Sequence, residues 1–125
     1  MKSLFTLLFL FLFLSVSAQQ KYVVSTYDNG QPEFVVWLKG KEGKEEIVKE
    51  TAFYADGVVE YVGHYKKGKE HGKWTYYYPS GAKKIEESYV NGIENGTRYE
   101  YATDGSLRVE IRYRDGKIEK EIRHK

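Results

Sequence analysis

The chain offers few side chains that could do chemistry, and they are poorly placed for catalysis. Three histidines occur, His64, His71 and His124, and there is no cysteine in the 125 residues. No second ligand stands at metal-binding spacing from any of the three. His64 falls on the polar column of an alternating segment, and His71 falls in a turn. No Gly-x-Ser-x-Gly or His-Glu-x-x-His motif is present, and Gly68-x-x-x-Gly72 lacks the Lys-Ser/Thr of a phosphate-binding loop. Glu86, Glu87, Glu100 and Glu110 could supply an acid/base pair. Their Lys and Arg neighbours make a solvated strand face the stronger reading. The expectation is therefore a non-enzymatic protein with no catalytic residue, no metal and no cofactor.

What the chain does have in excess is aromatic surface, with twelve tyrosines and two tryptophans. Trp74-Thr75-Tyr76-Tyr77-Tyr78 is the densest run. Such rings serve two chemistries: anchors in a protein interface, or stacking platforms for sugars. They can equally form a core, because tyrosine buries its ring and keeps its hydroxyl wet.

The elements that must position these rings recur every 24 residues. Gly57, Gly81 and Gly105 form one series, and Gly68, Gly92 and Gly116 another. Phe53, Tyr77, Tyr101 and Tyr65, Tyr89, Tyr113 keep the same step. A fixed period of this size marks one supersecondary unit copied along the chain. Leu107, Val109, Ile111 and Tyr113 alternate with Arg108, Glu110 and Arg112, the pattern of a half-buried strand. Asp56-Gly57, Ser80-Gly81, Asn91-Gly92, Asp104-Gly105 and Asp115-Gly116 carry turn chemistry. Asn95-Gly96-Thr97 fits a glycosylation sequon and is read as a turn. The fold class is all-β: a single antiparallel meander of stacked β-hairpin repeats, with eight or nine strands.

Residues 1–18 read as a cleaved signal peptide. Lys2 precedes an apolar run, Leu4 to Leu14, too short to span a bilayer, and Val16-Ser17-Ala18 supplies small residues at the exit. The repeat domain is then 19–125, exported to a periplasmic or secreted location. A degenerate N-terminal unit covers about 19–49, repeats cover about 50–116, and 117–125 form a charged cap. Lys41 to Glu46 is a charged insertion, and Gly43 within it lies off the repeat and free of its constraints. Removing Lys2 from the 20 basic residues leaves 19 against 18 acidic ones. That balance argues against a nucleic-acid partner, and no membrane span is expected in the mature chain.

From Gly63-His64-Tyr65 through Lys66-Lys67-Gly68-Lys69, His71-Gly72 and Trp74 to Gly81, the chain resembles a MORN repeat. It is closest in pattern to the bacterial variant often labelled an antitoxin family. The next copy keeps Tyr89, Asn91-Gly92, Gly96, Tyr99, Tyr101 and Asp104-Gly105, with Arg98 replacing the tryptophan and Asn95 the histidine. The resemblance covers about residues 50–119. It implies a scaffold or interaction function.

Two aromatic rows are then distinguished. Phe53, Tyr77 and Tyr101 recur in every unit and are read as core. The column of Glu50, Trp74 and Arg98 does not recur, and glutamate and arginine are poor core residues. That column is read as solvent-facing, with Trp74, Tyr76 and Tyr78 on one pleat. The candidate binding face is Trp74, Tyr76, Tyr78, Arg98 and Glu100. Its expected partner is a protein. The alternatives are a cell-envelope glycan, or a toxin neutralised by an antitoxin-like chain.

Overall fold

The computed structural model describes residues 18–125. The proposed signal segment, apart from Ala18, lies outside the described residues.

All regular structure among the described residues is strand. The strands are β1 (Gln20–Thr26), β2 (Pro32–Lys39), β3 (Glu46–Phe53), β4 (Val59–Lys66), β5 (Lys69–Glu70), β6 (Gly72–Tyr77), β7 (Lys83–Val90), β8 (Ile93–Glu94), β9 (Gly96–Tyr101), β10 (Leu107–Arg114) and β11 (Lys117–Arg123). Nine of them form one open path, β1-β2-β3-β4-β6-β7-β9-β10-β11, with every neighbour antiparallel. The two-residue strands β5 and β8 pair back onto β4 and β7. The 24-residue unit is thus a long strand, a tight turn, a short return and a second strand.

Register follows from the alternation, since a one-residue slip would exchange the two faces. One row crosses eight strands as Val35, Thr51, Val62, Thr75, Glu86, Tyr99, Glu110 and Ile122, each opposite the next. The other face carries Tyr61, Tyr65, Trp74, Tyr76 and Tyr89, with ring contacts from strand to strand. We call it the aromatic face.

Two turn types join the strands. Lys67-Gly68, Asn91-Gly92 and Asp115-Gly116 have both residues at positive φ. This is the geometry of a two-residue hairpin whose twist matches the sheet. At the other end of the strands, Tyr54 N–H donates to the Val58 carbonyl and Gly57 N–H to the Tyr54 carbonyl. The bonds recur around Tyr78 and Ala102. Asn29, Asp56, Ser80 and Asp104 brace these turns by accepting the backbone N–H two residues on, a local motif that short polar side chains favour. Gly43 is corrected here. It sits at φ +80°, so a side chain there is strained even though it lies off the repeat.

Units are stitched to one another as well as paired. Gly92 N–H donates to the Glu70 carbonyl at 2.8 Å, and Gly116 N–H to Glu94 at 2.9 Å. At the opposite sheet margin the hydroxyls of Tyr27, Tyr54 and Tyr78 donate to the carbonyls of Phe53, Tyr77 and Tyr101. The equivalent position in the last unit is Ala102, where the ladder stops.

The deepest apolar side chains are Val35, Val36, Ala52 and Trp74. The row read as core, Phe53, Tyr77 and Tyr101, is only half-buried in all three units. A one-layer sheet shields its middle columns best, and these three rings lie at strand ends.

Candidate binding face

Trp74 stands on β6 opposite Gly63 of β4. A Cβ on Gly63 would lie 2.5 Å from the indole, so the absence of a side chain lets the ring lie flat against the backbone. The ring stacks on Tyr61 at 5.9 Å with planes 14° apart, and meets Tyr65 and Tyr89 edge-on at 5.4 and 6.1 Å. Its Nε1–H donates to the His64 carbonyl at 3.1 Å. Trp74 keeps 5% of its surface exposed. The expectation of a solvent-facing tryptophan is therefore corrected. Neighbouring tyrosines and a glycine bed bury it without a second sheet, which a count of apolar residues in its own column does not foresee.

Arg98 occupies the same place one unit later and is solved differently. Its Nη1 donates to Glu87 at 3.0 Å and its Nε to Glu100 at 2.9 Å. Glu87 is 6% exposed, lies opposite Trp74 in the ladder, and also accepts the Tyr89 hydroxyl at 3.0 Å. A carboxylate this deep is tolerable because a guanidinium and a phenol both bond to it. Arg98 and Glu100 are half-buried, so they stay on the face as its polar centre.

Glu50, one unit before Trp74, has a third environment. It accepts the Tyr61 hydroxyl at 3.0 Å. A groove of about 470 Å³ opens beside it, lined by Glu46, Ile47, Tyr65, Lys67 and Gly68. Burial and then the Glu50 charge push the Tyr65 hydroxyl up to about 12, and burial and then Glu87 push Tyr76 up to about 12. Tyr61 and Tyr89 are raised too, burial first. All four phenols therefore stay protonated donors at neutral pH.

Tyr78 leaves the set. β6 ends at Tyr77, a register shift falls between Tyr76 and Tyr77, and Tyr78 opens the turn. Its hydroxyl goes to Tyr101 and its ring lies under Lys84 at 5.6 Å. The extra residue of the bulge is Lys84 on β7, so β6 keeps its alternation to its end at Tyr77, and Tyr78 lies past that end, committed to the turn. The structure thus gathers Trp74, Tyr76, Arg98 and Glu100, with Trp74 as the buried floor. It adds Glu50, Tyr61, Tyr65, Glu87 and Tyr89, which were not singled out as site residues. The signal for them was the complementarity of two columns: Glu50, Trp74, Arg98 against Gly63, Glu87, Ile111.

The opposite face carries Trp37 with Lys49 over its ring at 4.3 Å and Lys21 at 6.0 Å. No group of three or more His, Asp or Glu side chains able to hold a metal ion occurs among the described residues. The profile of the MORN repeat variant family matches residues 48–67, 70–91 and 94–115. No curated protein matches the chain.

Proposed function

The chain belongs to the MORN repeat variant family, which matches more than half of its length, and we propose that it is an exported, non-enzymatic module that binds a protein partner through its aromatic face. The observation that carries this reading is the composition of that face. Rings and charged groups lie side by side over a buried tryptophan, the mixture of aromatic anchors and polar rim that interfaces favour. The glycan alternative is weakened by the same geometry, because the flat ring of Trp74 is occupied by Tyr61 and Gly63 and is not offered to a sugar.

The test is affinity capture from an envelope fraction with three forms of the chain. Tyr65→Ala alters the aromatic face, and Arg112→Glu alters the other. The proposal expects a specific protein retained by the wild type and by Arg112→Glu and lost with Tyr65→Ala. Loss with Arg112→Glu alone would move the interface to the other face. For export, intact mass of the native protein should give a chain starting at Gln19; a species beginning at Met1 would refute cleavage.

A further inference from the structure

We propose that the groove beside Glu50 receives the guanidinium of an arginine side chain presented by the partner protein. This deepens the interaction reading above and rests on it for the identity of the occupant as protein. The argument begins inside the molecule. The sheet has already solved the problem of a half-sunk carboxylate once, at Glu87, where Tyr89 donates one hydrogen bond and Arg98 supplies the cation. Glu50 repeats the first half of that arrangement. It accepts the Tyr61 hydroxyl and has the Tyr65 ring beside it. It has no Lys, Arg or His in ion-pair reach among the described residues. Glu50 stands at the repeat position of Arg98 and not of Glu87, with Val36 and Gly63 opposite it on the two neighbouring strands, so no cation of the described residues faces this carboxylate.

The groove fits such a side chain. Its volume of about 470 Å³ is at the small end of ligand clefts, about 300–1,000 Å³. Glu46 and Glu50 face it with two negative charges against the one of Lys67, and Glu70 adds its field at the Tyr65 hydroxyl. Ile47 is 40% exposed on the wall and can cover the methylene stem of an arginine, which buries its aliphatic part while its head stays polar. The Tyr65 ring gives the cation a π surface. Arginine suits the site better than lysine, because its planar fork can bond a carboxylate through two N–H groups and still lie on an aromatic ring.

The test titrates the purified chain with N-acetyl-arginine amide, followed by two-dimensional NMR. N-acetyl-citrulline amide, of the same shape without the charge, is the control. Arginine amide should give saturable shifts at the amides of Ile47, Tyr65 and Gly68 and at the Trp74 indole N–H. Binding should be weaker by at least about tenfold for citrulline amide and for the Glu50→Gln chain, the scale of one charge-assisted bond. Equal binding of citrulline amide, unchanged binding by Glu50→Gln, or shifts confined to the opposite face would each overturn the proposal. If Glu50→Gln lowers the melting temperature, the citrulline comparison on the wild type decides alone. Partner capture lost with Tyr65→Ala while arginine amide fails to bind would overturn the arginine pocket and leave the docking face standing. Arginine binding with no protein captured on this face would leave the pocket and overturn the interaction reading.

Discussion

Gly63–Trp74 and Glu87–Arg98 are the same pair of positions in successive repeats, filled by opposite chemistries. In the first, a residue without a side chain faces the largest one, and the contact is ring on backbone. In the second, an acid faces a base, and the contact is one charge-assisted hydrogen bond from Arg98 Nη1 to Glu87, while Arg98 Nε bonds Glu100 on its own strand. Both leave the strands in the same register. The backbone of the unit is thus set by its turns and its alternation, and the central cross-strand pair is free to vary so long as its two members complement one another. Glu50 shows what happens when the complement is missing, since the member of its pair on the preceding strand is Val36, which offers it no charge, and the space over Gly63 on its other side is taken by Trp74.

The comparison breaks most readily at the first pair. Trp74→Ala should cost about 3–5 kcal/mol, the range for truncating a buried large aromatic. Gly63→Val should also be strongly destabilising in the wild type, because its Cβ meets the indole. In the Trp74→Ala background that clash is gone, so the second change should cost less. A coupling of about 1–3 kcal/mol by urea unfolding is expected. Additive costs would show that Gly63 is not glycine on account of the tryptophan.

The second pair should respond differently. Arg98→Ala leaves Glu87 buried without its cation, at a cost of about 3 kcal/mol. Replacing both members, Glu87→Leu with Arg98→Met, should restore most of that loss, because an apolar pair needs no desolvation of charge. Thermal melts of the single and double variants measure it. A double variant no better than Arg98→Ala would mean that Tyr89 and Glu100, left without their partners, matter more than the ion pair.

Turn glycines give a smaller effect and compare the repeat with the insertion. Gly105→Val and Gly43→Val should each cost about 1–3 kcal/mol, since φ is +84° and +80°. Similar melting temperatures for the two are the expected result. A silent Gly43→Val would show that the loop from residue 40 to 45 can rearrange where the repeat turn cannot.

The architecture was legible because it rests on local rules. Period-two alternation and Gly-containing turns at a fixed step dictate an antiparallel meander, and the strand path follows chain order. The site was only partly legible. Column by column, Glu50, Trp74 and Arg98 look like a surface row, since two of the three are charged. Their environment is decided by residues 11 positions earlier that the register brings opposite, Gly63 before Trp74 and Glu87 before Arg98. Tyr78 was misassigned for another reason. Strand β6 stops at Tyr77 and Tyr78 opens the turn, and nothing in a run of three tyrosines marks where the strand ends.

The smallest effect concerns the stitches between units, where the middle and the end of the array differ. Tyr54 and Tyr78 each donate a hydroxyl hydrogen bond, at 2.8 and 2.7 Å, to a carbonyl at the end of a strand in the next unit, and Ala102 cannot. Tyr78→Phe keeps the ring and removes only that bond, so the expected loss is about 1 kcal/mol, the usual net worth of one hydrogen bond. Tyr54→Phe should match it. Ala102→Tyr should gain nothing, because β11, the strand its hydroxyl would have to reach, already ends at Arg123. Urea unfolding of the three variants measures this. If Tyr78→Phe is silent, water serves the Tyr101 carbonyl as well as the phenol does, and the repeats are held by strand pairing and the aromatic face alone. If Ala102→Tyr stabilises as much as Tyr78→Phe destabilises, the gain lies in ring packing at the sheet margin, and the hydroxyl ladder is incidental to it.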